Sequence, residues 1–277
     1  MLSVRDVLEK TIARFTRAGV DSPRLNAELL LAHALDLTRG ELLGAGDREL
    51  APAHLAKFDA LAARREAREP IDYILGEREF YSRTFFVSKG VLVPRPETET
   101  IVDTLKKEWP HAAGFAADIG CGSGALAVTL ALEFPRLCVL ATDISQVALL
   151  VTRENAARLG AQVRCARMDG LSAARGPFDL VVSNPPYIDP ADADGLHPEV
   201  RDHEPPEALF GGKGGVETAE RLLVQASEKL KPGGLCLFEH GFNQGEEMRA
   251  LAGQAGLRDA RTVHDMAGLD RVLVAHK

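Results

Sequence analysis

The chain has 277 residues, enough for one large domain or two of ordinary size, and a 45% hydrophobic content typical of globular proteins. The net charge is −7 and no basic stripe is evident, which argues against a DNA substrate whose phosphates such a stripe would neutralise. No apolar run approaches membrane-spanning length and no signal peptide precedes residue 20, so a cytoplasmic protein with no membrane partner is expected.

Residues 3–70 carry helical periodicity and a balanced charge, so the whole acidic excess lies downstream. Val4, Val7, Leu8, Ile12 and Phe15 mark one helix face, and Gly19 closes that helix. Ser22-Pro23 reads as an N-cap followed by proline at the first helical position. Leu25, Leu29, Leu30 and Leu35 form a buried stripe, and Thr38 to Glu41 reads as a capping box. Pro52 to about Arg68 completes a bundle of four or five helices. Residues 79–87 read as a hairpin, and Pro94 to Trp109 as a helix started by proline. Strands are then expected near 115–119, 137–142, 162–166, 178–184 and 235–240. Helices are expected over 123–133, 145–159, 214–230 and 243–254. Two last strands, near 260–264 and 271–275, suggest an antiparallel edge hairpin. The alternation predicts a doubly wound, mostly parallel α/β sheet. The expected organisation is a helical domain over 1–72, a hairpin linker over 73–93 and a catalytic domain over 94–277. Cys121, Cys138, Cys165 and Cys236 lack C-x-x-C spacing and read as free thiols.

Two segments carry chemistry. The first is Asp118-Ile119-Gly120-Cys121-Gly122-Ser123-Gly124, a strand passing through a glycine loop into a helix. Alternating glycines let backbone approach a ligand where a Cβ would clash. The next strand ends in Asp143-Ile144, placing an acid where both ribose hydroxyls of a nucleoside could donate to it. The spacing is G-x-G-x-G, which weakens a dinucleotide reading. The second segment, Asn184-Pro185-Pro186-Tyr187, ends the apolar strand from Phe178. Its prolines cannot continue a ladder, so a side-chain amide and free carbonyls stand at the ligand-binding edge of the sheet. An amide oxygen and a carbonyl can together grip both hydrogens of a planar –NH2 group.

Taken together, these segments resemble the S-adenosylmethionine-dependent amino methyltransferases. Pro23 to His33, Tyr73-Ile74-Leu75-Gly76, Val91 to Glu99 and Phe238-Glu239-His240-Gly241 are similar to the bacterial release-factor glutamine methyltransferases (the PrmC/HemK family). The Pro94-Arg95-Pro96-Glu97-Thr98-Glu99 stretch separates them from the sister family that methylates a ribosomal-protein glutamine. The resemblance covers nearly the whole chain and implies a seven-stranded methyltransferase sheet. It implies S-adenosylmethionine as cofactor, held by Asp118, Gly120 to Gly124, Asp143, Ile144, Asp169, Gly170 and Asn184. Its substrate would be the glutamine of the Gly-Gly-Gln loop in class I peptide-chain release factors, recognised with help from the helical domain.

An amide nitrogen is a poor nucleophile because its lone pair is delocalised. The Asn184 side-chain oxygen and the Pro185 carbonyl are expected to hold both N–H bonds and turn that lone pair toward the methyl donor. Pro186 and Tyr187 would complete the substrate pocket, Tyr187 stacking on or flanking the amide plane. Asp118 could bond the cofactor or the loop backbone. Gly170 stands where the family often places a large residue, so any contact there would come from backbone. The acids and histidines between Asp189 and Glu204 lack metal-ligand spacing and read as a solvated loop. His240 reads as a core histidine. An adenine-N6 methylase would need a basic groove, and a nicotinamide-dependent oxidoreductase would need G-x-G-x-x-G. A noncatalytic module would have no need of Asn184.

Overall fold

A computed structural model describes residues 2–277, which divide into two compact units. The first comprises the chain up to Gly76 together with His197–His203. It contains α1 (Val4–Arg17), α2 (Pro23–Ala34), α3 (Arg39–Gly44), α4 (Pro52–Glu66) and α5 (Ile71–Leu75). Phe15, Leu30, Leu31, Leu42 and Phe58 form its fully buried core. The capping box at Thr38 and Glu41 is present, and a second one joins Ser3 to Asp6. Ser22 does not cap α2: its backbone is left-handed, with φ 47°, and its side chain makes no hydrogen bond to the helix end. Asn26 Nδ2 instead donates to the carbonyls of Asp21 and Ser22. The expected join at residue 72 falls inside α5, which buries Tyr73 and Ile74 and ends at Gly76 with φ 77°.

The second unit opens with a hairpin, β1 (Glu77–Phe80) and β2 (Arg83–Phe86), turned through Tyr81 and Ser82 at φ 50° and 58°. Next come α6 (Glu99–Glu108), β3 (Ala113–Ile119), α7 (Ala125–Glu133), β4 (Arg136–Asp143), α8 (Gln146–Leu159), β5 (Val163–Arg167) and β6 (Phe178–Ser183). After a short 3-10 turn the chain forms α9 (Pro198–His203), which belongs to the first unit. It then gives α10 (Pro206–Leu209), α11 (Glu217–Lys229), β7 (Leu230–Glu239), α12 (Gly245–Gln254), β8 (Arg258–His264) and β9 (Asp270–His276). The helix expected from Pro94 starts later, because Pro96–Thr98 forms a separate 3-10 turn. The helix expected from 214 starts at Glu217, because Gly214 has a φ of 66°.

The sheet order is β5-β4-β3-β6-β7-β9-β8, parallel from β5 to β7 and antiparallel at β9 and β8. Both faces are covered, as a parallel sheet requires. In β6, Leu180 and Val182 enter one core with Ile101, Leu105 and Leu130. Phe178 and Val181 enter the other with Leu223, Phe238 and Met248. The chain winds outward from β3 to β5, then returns to place β6 on the other side of β3. That reversal leaves a crevice beyond the carboxyl ends of the central strands.

Candidate active site

Register brings the two motifs together. Ile119 of β3 pairs with Thr142 of β4 on one side and Ser183 of β6 on the other. Gly120, Asp143 and Asn184 therefore emerge at neighbouring strand ends. Gly120, Gly122 and Gly124 have φ of 70°, 54° and 79°, a region that disfavours residues bearing a Cβ. A Cβ on Gly120 or Gly122 would meet no protein atom within 4 Å, because both face open cavity. At Gly124 the constraint is packing: a Cβ would lie 2.8 Å from Thr152 Cγ2 on α8. Asn155 fixes the loop from below, donating to the carbonyls of Ser123 and Phe86 and accepting from Phe86 N–H.

Asp143 closes the loop. Its Oδ2 accepts from Gly122 N–H at 3.0 Å and its Oδ1 from Ser145 N–H at 2.8 Å. Desolvation nonetheless holds its pKa above the ordinary carboxylate value. A cavity of about 210 Å³ opens beside it, lined by Gly120, Gly122, Asp143, Ile144, Asp169, Gly170, Asn184 and Pro186, among others. A smaller one of about 50 Å³ is lined by Asp118, Cys121, Ser123, Arg95 and Thr98. Leu92, Gly120, Gly122 and Asn184 border both.

Asn184 thus stands at the junction of the cavities, held by a buried chain of hydrogen bonds. Its Nδ2 donates to Thr98 Oγ1 at 3.0 Å, and Thr98 Oγ1 donates to Glu239 Oε2 at 2.6 Å. Tyr187 OH donates weakly to Glu239 Oε1 at 3.4 Å. The Asn184 Oδ1 takes no donor from the described residues. The Pro185 carbonyl takes none either. Two acceptors are thereby left at one strand end.

Whole-chain comparison decides the family. A Koribacter versatilis protein named release factor glutamine methyltransferase is 40% identical over 282 residues, covering 100% of this chain and 99% of its own length. A Bordetella pertussis protein of the same name is 44% identical over 266 residues, covering 95% and 98%. The chain belongs to the release factor glutamine methyltransferases. The family descriptions "PrmC N-terminal domain" and "Methyltransferase small domain" match residues 6–76 and 95–196 of this family member. The fold is shared with a Pyrococcus furiosus methyltransferase at a TM-score of 0.55 and 20% identity, covering 79% of this chain and 97% of that one.

The remaining expected site residues of this methyltransferase divide. Asp118 is buried and its Oδ2 accepts from Ala127 N–H at 3.0 Å, so the loop-and-helix backbone is its partner. Burial raises its pKa to about 7. Cys121 Sγ lies 3.3 Å from Thr152 Oγ1, and desolvation pushes its thiol well up, so it packs as an unreactive side chain. Asp169 pairs with Arg221 at 2.7 Å, on the cavity wall. Gly170 has a φ of 57°, and a Cβ there would run into Gln225 Oε1 and Leu222. Packing is thus the physical reason that no large residue stands at this position.

Pro185, Tyr187 and Gly124 line neither cavity. Tyr187 points its hydroxyl at Glu239, and desolvation pushes its pKa up. Through Glu239 it joins the hydrogen-bonded chain that holds Asn184. His240 is fully buried, with Nδ1 bonded to Gly241 O and Nε2 unpartnered, and burial lowers its pKa. It borders neither cavity. The acidic segment is largely paired: Glu199 with Arg65, Glu204 with Arg95, and Asp189 with two backbone N–H groups. Asp21, His197 and Glu199 come together, but Arg65 and Arg68 supply the positive charge against Glu199. Sequence reasoning missed Thr98 as a partner of Asn184. A separation of 86 positions in sequence leaves no local pattern to read.

Proposed function

We propose that this chain methylates the side-chain nitrogen of a glutamine in a class I peptide-chain release factor, within the Gly-Gly-Gln loop. S-adenosylmethionine, when bound, supplies an electrophilic methyl group on a sulfonium. The larger cavity, with its left-handed glycines and the carboxylate of Asp143, suits the adenosine portion. Asp143 retains lone pairs for ribose hydroxyls beyond those given to backbone. Ile144 offers an apolar wall, and Asp169 and Gly170 border the far side.

The observation that carries the reading is the acceptor pair at the end of β6. Asn184 Oδ1 and the Pro185 carbonyl would each accept one N–H of the substrate amide. With both hydrogens held in one plane, the nitrogen lone pair is left normal to that plane and aimed at the methyl carbon. The same acceptors stabilise positive charge as it grows on nitrogen. Alignment supplies most of the acceleration, because the electrophile needs no further activation. The cationic amide is strongly acidic, so water can take its proton.

We read the macromolecular partner as protein rather than nucleic acid, in keeping with the net charge of −7. Among the described residues no helix is long and apolar enough to cross a membrane. A cytoplasmic site of action follows from the proposed substrate. The helical unit is assigned to release-factor recognition. Mass spectrometry of a release factor incubated with enzyme and S-adenosylmethionine tests the proposal: the Gly-Gly-Gln peptide should gain one methyl. An unmodified glutamine, with methylation found on a nucleic acid instead, would overturn it.

A further inference from the structure

An asparagine carboxamide has two ends of nearly equal size and opposite chemistry. If Asn184 turned its NH2 toward the substrate amide, two donors would face each other and the grip would fail. The backbone of β6 cannot choose between the ends, so neighbouring groups must. We propose that Thr98 and Glu239 are positioning residues that fix the Asn184 carboxamide with its oxygen toward the cavity. The inference rests on the reading of Asn184 Oδ1 as an acceptor for the substrate.

The argument follows the single hydroxyl hydrogen of Thr98. Glu239 Oε2 lies 2.6 Å from Thr98 Oγ1. An ionised carboxylate only accepts, so Thr98 must spend its hydrogen on Glu239. The Thr98 oxygen is then left as an acceptor, and the Asn184 atom at 3.0 Å must be the nitrogen. Oδ1 is thereby turned the other way. Thr98 is 6% exposed and Glu239 fully buried, so these bonds lie in a low-dielectric setting where they are strong. Four separate segments meet here: the 3-10 turn ending at Thr98, the end of β6, the Tyr187 segment and the end of β7.

The direction of the chain depends on the charge of Glu239. A protonated carboxyl can donate to Thr98, which frees the threonine hydrogen to point at Asn184 and favours the reversed amide. Burial raises the Glu239 pKa to about 7. The groups acting on it are Thr98 and Glu97 from the 3-10 turn, Arg271 from β9 and Tyr187. Thr98, Arg271 and Tyr187 favour the ionised form, and Glu97 opposes it. Oriented acceptor geometry is therefore present above that value and lost as pH falls through it.

The test compares single-turnover methyl transfer to a release factor, cofactor affinity and melting temperature. The proteins are the wild type, Thr98→Val, Thr98→Ser, Glu239→Gln and Asn184→Ala. Thr98→Val keeps shape and removes the hydroxyl, so the transfer rate should fall roughly tenfold to a hundredfold with cofactor affinity unchanged. Thr98→Ser should recover most of that loss. In the wild type the transfer rate should fall on the acid side of neutrality while cofactor affinity stays level. Glu239→Gln should lower the plateau and remove that acid limb. A Thr98→Val enzyme as fast as the wild type overturns the proposal, as does an acid limb unchanged in Glu239→Gln. If both variants fail to fold, a wild-type transfer rate flat with pH through neutrality overturns it alone. Full activity in Asn184→Ala would instead defeat the acceptor reading, and the positioning proposal with it.

Discussion

At the residue scale, the proposed function assigns the glycine-loop motif to binding and the Asn184 motif to transfer. Asn184→Ala removes one of two acceptors and should slow methyl transfer about a hundredfold, with cofactor affinity within a few-fold of the wild type. Single-turnover kinetics and calorimetry read the two effects apart. Asp143→Ala should weaken cofactor binding first, by about tenfold or more, because it loses ribose acceptors and frees the Gly122 and Ser145 N–H groups. Equal loss of cofactor in both variants would contradict this division. Asp118 makes a pH-dependent contribution to stability. Its folded pKa of about 7 lies above the ordinary 3.8, so the native state is favoured below 3.8 and progressively penalised as pH rises to about 7. Asp118→Asn keeps an oxygen for Ala127 N–H, and its gain in stability should grow over that interval and level off above it. Urea midpoints measured across pH check this. The strand-end placement of these residues was legible in sequence because each sits in a continuous motif. Thr98 and Glu239 were legible as residues but not as a pair. Their partnership exists only once the 3-10 turn before α6 is set against the end of β7 in the sheet.

Most elements were readable where periodicity or capping chemistry was strong. The strands β4, β6 and β9 and the helices α1, α7 and α8 follow their apolar patterns closely. Departures occur where a local signal met a tertiary constraint. Ser22 has the composition of a cap, yet its backbone is left-handed and its side chain makes no capping bond, while Asn26 Nδ2 ties the preceding turn by donating to the Asp21 and Ser22 carbonyls. The short helices α5, α9 and α10 carry too few residues for a period to show. Gly170 lies between β5 and β6, and only the packed position of Gln225 and Leu222 on α11 explains it. Gly170→Ala should therefore cost about 2–4 kcal/mol, combining left-handed strain with overpacking, as read from the denaturant midpoint. In the helical unit, Arg65 on α4 is buried and bonds Asn26 Oδ1, the Glu69 carbonyl and Glu199 Oε1. Arg65→Ala should lower stability by about 3–5 kcal/mol in the same measurement, since it strands buried acceptors.

At the scale of the whole molecule, the chain passes between its two units three times, after Gly76, after Leu196 and after His203. A fragment ending at Gly76 would lack Glu199 and leave Arg65 buried without its carboxylate. That fragment should melt well below the intact chain, and adding a peptide spanning 197–203 should raise its melting temperature. Sequence alone suggested a helical domain over 1–72, a hairpin linker over 73–93 and one continuous domain over 94–277, and it gave no sign of the return at 197–203, because α9 is brief and lies far along the chain from α4.

Such threading bears on how the gene can be rearranged. A crossover placed at the first junction alone would hand the new host an incomplete bundle and leave the donor with an orphaned turn of helix. Successful transplantation would have to carry the short return segment as well, so inheritance of the helical unit is tied to that of the loop following the Asn-Pro-Pro-Tyr segment.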